Sequence, residues 1–155
     1  MNKVLNIFTL VLVAGMFLIS ACGGEDPGTG PTETPQDIAT TNLTDGSPWT
    51  LSSATGPNGD VTTDYAGTTI TFTATSYTIS GLPAGETPWT GATSGSWDFV
   101  STDTDVVNAI TRADGLEVNA TISATNLVLQ FTITEAGGRV NGIEGSWTFR
   151  FDAAS

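Results

Sequence analysis

The 155-residue chain has no histidine, one cysteine and one lysine, set against sixteen acidic residues. Without histidine there is no Ser-His-Asp or Cys-His machinery and no imidazole ligand for zinc. The lone lysine, Lys3, lies in a segment expected to be removed, so no Schiff-base lysine remains. Beyond it the cations are Arg112, Arg139 and Arg150, and the formal net charge is -12. Nothing in that balance would displace counterions from a phosphate backbone, so no nucleic-acid partner is expected. What the chain has in abundance is threonine, with 28 residues.

Residues 1–22 run from Met-Asn-Lys through an apolar stretch, Val4 to Ile19, to Ser20-Ala21-Cys22. A cationic start, an apolar run and small residues before a cut make a secretory signal. The run also approaches the roughly 18 residues at which an uncleaved transmembrane anchor becomes an alternative. Ile19-Ser20-Ala21-Cys22 resembles the lipobox of bacterial lipoproteins. That resemblance implies a signal peptide over residues 1–21 and lipid attachment at Cys22, with diacylglycerol on the thiol and an acyl chain such as palmitate on the new amino group. Each buried methylene then adds about 0.8 kcal/mol to membrane attachment. Gly23 follows the cysteine where an inner-membrane retention signal would place aspartate, which implies an outer-membrane location. Glu25-Asp26 resembles the acidic surface-export signal of Bacteroidetes-type lipoproteins, and a solvated acidic pair in a linker has the same sequence.

Residues 22–48 read as the lipidated cysteine followed by a flexible tether. From Gly23 to Gln36 there is no large apolar residue but several prolines and glycines, too little burial to offset ordering entropy. Asp37 to Ser47 is transitional, with Ile38 and Leu43 as anchors, and no window of the mature chain carries a helical stripe. Residues 49–155 suffice for one domain with one core.

That domain reads as strand. Ile70, Phe72 and Ala74 alternate with Thr69, Thr71 and Thr73, and Tyr77 and Ile79 follow. The same period runs through Trp97 and Phe99, Leu116 to Ile122, Leu127 to Ile133, and Trp147 to Phe151. Turn signals separate these runs at Gly56-Pro-Asn-Gly59, Gly81-Leu-Pro-Ala-Gly85, Ala113-Asp-Gly115, Ala124-Thr-Asn126 and Gly137-Gly138. One buried and one wet face per strand is the pattern of antiparallel sheet. The expected fold is all-β, an up-and-down meander of about eight strands. Closure into a barrel would remove its edges; a β-sandwich burying the same residues is the alternative. The inward set, Trp49, Phe72, Tyr77, Trp97, Phe131, Trp147 and Phe149, is bulky and points to a filled or shallow interior.

Trp49-Thr-Leu51, Thr69-Ile-Thr-Phe-Thr73 with Ser76-Tyr-Thr78, Gly95-Ser-Trp-Asp-Phe99, Arg112-Ala-Asp-Gly115 and Gly145-Ser-Trp-Thr-Phe149 together resemble small lipocalin-like domains of Bacteroidetes-type lipoproteins. The resemblance implies a barrel. The chain departs from true lipocalins in placing Ser47-Pro48 before its first tryptophan and in turning Arg150 away from the core side. The repeated Gly-Ser-Trp-x-Phe is read as a glycine relieving a tight strand start and a tryptophan plugging one end of a core.

Paired carboxylates for acid/base work are available in Asp98, Asp103, Asp105, Asp114 and Glu117, but sixteen acids on a small surface bring some together by chance. Asp103-Thr-Asp105, and Asp60 with Asp64, have calcium-like spacing without completing a ligand loop; solvated charge reads the same way. Trp89, in Glu86-Thr-Pro-Trp-Thr-Gly91, is a lid over a barrel mouth, a stacking surface for sugar, or a core cap. No cofactor is expected. The expected function is a non-enzymatic, lipid-anchored envelope protein binding a small apolar or glycan ligand or a protein partner. The alternative is a β-sandwich adhesin or interaction module, calcium-stabilised.

Overall fold

The computed structural model describes residues 32–134 and 143–154. Cys22 and the rest of the expected lipobox lie outside the described residues, as do the Glu25-Asp26 pair and the Gly137-Gly138 turn signal.

Among the described residues one helix precedes the strands. α1 spans Pro35–Asp45 and corrects the later part of the tether expected over residues 22–48. Its start is built from Thr34, whose hydroxyl accepts from the Asp37 amide while Asp37 accepts from the Thr34 amide and hydroxyl, with Pro35 in the first turn. Those hydrogen bonds hold the Asp37 carboxyl below its ordinary value. Ala39 and Leu43, four apart, form the buried stripe; Ile38 faces outward, 47% exposed. Two residues are all the stripe this helix has.

Ten strands follow among the described residues: β1 Trp49–Gly56, β2 Gly59–Asp60, β3 Thr69–Phe72, β4 Ser76–Ser80, β5 Ser94–Ser96, β6 Asp98–Phe99, β7 Ala109–Thr111, β8 Glu117–Ile122, β9 Asn126–Ile133 and β10 Gly145–Asp152. All pairings are antiparallel, in the order β5-β4-β3-β1-β10-β9-β8-β7-β6, with β2 a short hairpin partner of β1. The two ends of that ladder, β5 and β6, are neighbours in the chain with only Trp97 between them. The sheet therefore curls until its ends meet in a nearly closed barrel. Counting β5 and β6 as one interrupted strand and setting β2 aside, the ring has eight members. This is the sequential meander read from the alternation, and its connectivity excludes the sandwich.

The side-chain period decides what fills the barrel. Trp49, Ile70, Phe72, Tyr77, Ile79, Trp97, Ile110, Val118, Leu129, Phe131, Trp147, Phe149 and Phe151 are all buried, while Arg150 is exposed. β1 needs a correction of phase to do this. Its register slips between Leu51 and Ser53, a β-bulge that switches the inward positions from Trp49 and Leu51 to Ala54 and Gly56. Phe149, fully buried, is the hub: Trp147 and Phe131 stack on it at 5.9 and 6.0 Å. Tyr65 and Trp89 meet it edge-on at 5.2 and 5.3 Å. The interior keeps a void of about 10 Å³, near the least that admits one water.

Strand registers set the two ends. α1 closes the end at Trp49, Phe72, Phe99 and Leu127. The Trp49 indole donates to Leu43 O at 2.9 Å, and Ser47 Oγ accepts from the Phe72 amide at 2.8 Å. Gln36 Nε2 reaches Ser101 O, Asp103 O and Val106 O, each at 3.0 Å, fastening the helix to the β6–β7 loop. The opposite end carries the β1–β3 connection, the β4–β5 loop and the β7–β8 turn. At Gly81, where the β4–β5 loop leaves its strand, φ is +74° and a Cβ would collide with the Gly67 carbonyl, so both conformation and space demand glycine.

Candidate functional site

The β7–β8 turn places Arg112 at the open end with its side chain directed inward. Gly115 makes the tight reversal at φ +82°, its amide donating to Arg112 O at 2.9 Å. Arg112 is 5% exposed, and its guanidinium carbon lies 4.9 Å from the Trp89 ring centroid and 5.0 Å from that of Phe131. Its donors are committed as well. Nε and Nη2 donate to the two oxygens of Asp114 at 3.1 and 2.6 Å, and Nη1 donates to Pro88 O at 2.9 Å. One guanidinium thus ties the β4–β5 loop to the β7–β8 turn above the aromatic core.

Asp114 feels opposing influences. Partial burial pushes its carboxyl up, but the Arg112 hydrogen bonds and charge, with the Leu116 amide, outweigh it and hold it below its ordinary value. Asp114 is therefore a fixed anion and a poor proton donor.

The β4–β5 loop is folded on itself around Trp89. Thr87 O accepts from the Thr90 amide, Thr90 Oγ1 accepts from the Thr87 amide, and Trp89 O accepts from the Ala92 amide. Tyr77 pins the returning strand by donating its hydroxyl to Ala92 O at 2.9 Å. Trp89, 1% exposed, caps the core against Phe131 and Phe149. It is neither a lid nor a platform for sugar, which corrects its place as a ligand-binding candidate: the loop's own turn drives the ring inward. The indole nitrogen is buried without a hydrogen-bond partner among the described residues.

Above this layer opens a cleft of about 510 Å³. One wall is Glu86–Gly91 without Trp89 and another is Arg112–Leu116 without Ala113. The rest comes from Thr132, Ile133 and Thr134 at the end of β9 and Ile143 ahead of β10. Threonine hydroxyls, half-buried aliphatic side chains and two carboxylates meet here. The sequence showed Arg112 and Asp114 without showing that Arg112 meets Trp89. The spacing of two and the Asp-Gly turn were the only signals.

The acids proposed for calcium are placed elsewhere and separately. Asp103 and Asp105 sit at the α1 end, where the Asp105 amide donates to Asp103 Oδ1 and the nearby loop carbonyls are occupied by the Gln36 amide. Asp60 accepts from the Thr62 amide and hydroxyl at 2.8 and 2.6 Å, bonds that hold its carboxyl below its ordinary value. Asp64 is exposed. Among the described residues no three histidine, cysteine or acidic side chains gather as a metal would need. Asp98 and Glu117, exposed on β6 and β8, do not line the cleft. No described helix is long and apolar enough to cross a membrane. Comparison of the chain with protein-family models, curated proteins and solved structures finds no match.

Proposed function

We propose that this is a non-enzymatic binding protein of the cell envelope, attached by acyl chains on Cys22 to the outer membrane and receiving its ligand at the mouth of the barrel. The observation that carries the reading is the pairing of a filled interior with a cleft of about 510 Å³ at the end away from α1. Within the described residues, α1 packs at one end of the barrel and the cleft opens at the other. The aromatic hub supports a ligand held at the mouth over one buried deep in the barrel. Asp114, held as an anion by Arg112, supports a binding role over acid/base chemistry.

Two experiments test this. In cells fed labelled palmitate, Cys22→Ala should lose the label and leave the membrane fraction; unchanged labelling overturns the anchor. For the site, small-molecule extracts of the envelope should raise the melting temperature of the wild-type protein. Thr134→Trp, which fills the cleft, should abolish the shift, while Thr71→Trp on the outer face of β3 should preserve it. No stabilisation, or equal stabilisation of the filled variant, overturns the mouth site.

A further inference from the structure

We infer that the mouth cleft takes a small amphipathic amine, a cationic headgroup on a short apolar body; this rests on the mouth-site reading above. The charged side chains among its described lining residues are Glu86, Arg112 and Asp114. The Arg112 side chain is 3% exposed, covered by the Trp89 and Phe131 rings and spent on Asp114 and Pro88. It offers a ligand almost no positive surface. Asp114, by contrast, is 35% exposed and keeps lone pairs beyond those Arg112 occupies, and Glu86 stands exposed on the facing loop. The described rim is thus acidic, with its only cation buried beneath it.

The rest of the cleft selects the body of the ligand. Leu116, Ile133 and Ile143 are half-buried and offer an aliphatic wall to the cleft that Glu86 also lines. A sugar would want an exposed ring to stack on, and all four tryptophans are buried, at 0 to 7% exposure. An anion meets the carboxylates and a chain of net charge -12, whose field gathers cations. A purely apolar molecule would cover those carboxylates without pairing them. An amine with a short aliphatic body satisfies the carboxylates and the wall together.

Hexylamine, hexanol and hexanoate, matched in body and different in head, make the test, read by amide chemical shifts of the full chain. At low ionic strength hexylamine should shift Glu86, Leu116 and Ile133 and bind at least about ten-fold tighter than hexanol, with hexanoate weakest. Raising salt to about 0.5 M should shrink that preference several-fold. Glu86→Gln should bring hexylamine near hexanol while leaving hexanol unchanged. Hexanol or hexanoate binding the cleft as well as the amine, or a preference indifferent to Glu86→Gln, overturns the amine and leaves the mouth site standing. Shifts away from the cleft, or none with any probe, overturn both.

Discussion

Arg112 and Asp114, two positions apart, close a two-pronged ion pair at 2.6 and 3.1 Å across the turn that also bears Gly115. The pair is lopsided in burial: the guanidinium side chain is 3% exposed and the carboxylate 35%. Removing one partner is therefore not equivalent to removing the other. Asp114→Ala strands a charge under the Trp89 and Phe131 rings and should cost about 2–4 kcal/mol, at or below the range for a broken buried pair because the carboxylate is part-solvated. Arg112→Met keeps most of the volume, removes the buried charge and leaves a carboxylate that water can reach. It should cost about 1 kcal/mol. Urea unfolding of the two variants checks the order; a costlier Arg112→Met would contradict it.

The same pair sets an acid limb. Its folded carboxyl titrates below the unfolded value near 3.9. The stability it supplies is thus complete above the unfolded value and lost as pH falls through the folded one. Unfolding free energy should decline below about pH 4, and Asp114→Asn should flatten that decline while lowering the plateau at pH 7. An unchanged acid slope in the variant would mean other carboxylates dominate.

At the alkaline side the two tyrosines act together. Burial, and secondarily the Asp64 charge, pushes Tyr65 up to about 12, and burial raises Tyr77 against a smaller opposing pull from its neighbours. For a phenol a raised value means the neutral form is favoured in the fold. Stability is complete below the unfolded value near 10 and is lost as pH climbs through the folded one. Absorbance at 295 nm should show neither tyrosine ionising at its ordinary pH in the native protein, and both doing so in urea.

Trp89 combines a large buried ring with an indole N–H that has no partner among the described residues. Trp89→Ala should cost about 3–5 kcal/mol through the cavity left against Phe131 and Phe149. Trp89→Phe should cost only about 1 kcal/mol, because the orphan donor and its penalty leave with the indole. Thermal unfolding of both variants measures the difference; equal losses would mean that ring shape matters more than the donor.

α1 is fastened to the barrel through Trp49 and the β6–β7 loop, so its loss should cost stability. Leu43→Ala should cost about 2–5 kcal/mol, Thr34→Ala about 1 kcal/mol from the lost cap. Gln36→Ala should raise amide exchange across residues 101–106 by releasing three carbonyls. A change below about 0.5 kcal/mol for Leu43→Ala would return the segment to the status of a spacer.

What could be read in the chain divides along a physical line. The strands were legible because each carries its own period: Ile70 with Phe72, Leu129 with Phe131, Trp147 with Phe149 announce one buried face without reference to anything else. The helix was not. Ala39 and Leu43 are a thin stripe, and what marks α1 is the Thr34-Pro35-Gln36-Asp37 start, which among prolines and glycines resembles a linker. β7 is only three residues long and shows too few alternations to stand out.

By itself the sequence determined an all-antiparallel β domain with bulky inward residues, since alternation and turn chemistry are local properties of the chain. It also settled what chemistry is out of reach: a chain without histidine cannot supply imidazole however it folds. Only tertiary structure decided that β5 and β6 meet across Trp97 to close the sheet, that Trp89 turns into the core, and that Arg112 lies beneath an acidic rim. Those outcomes rest on contacts between distant residues, Pro88 with Arg112 and Gln36 with Ser101 among them, which no local period encodes.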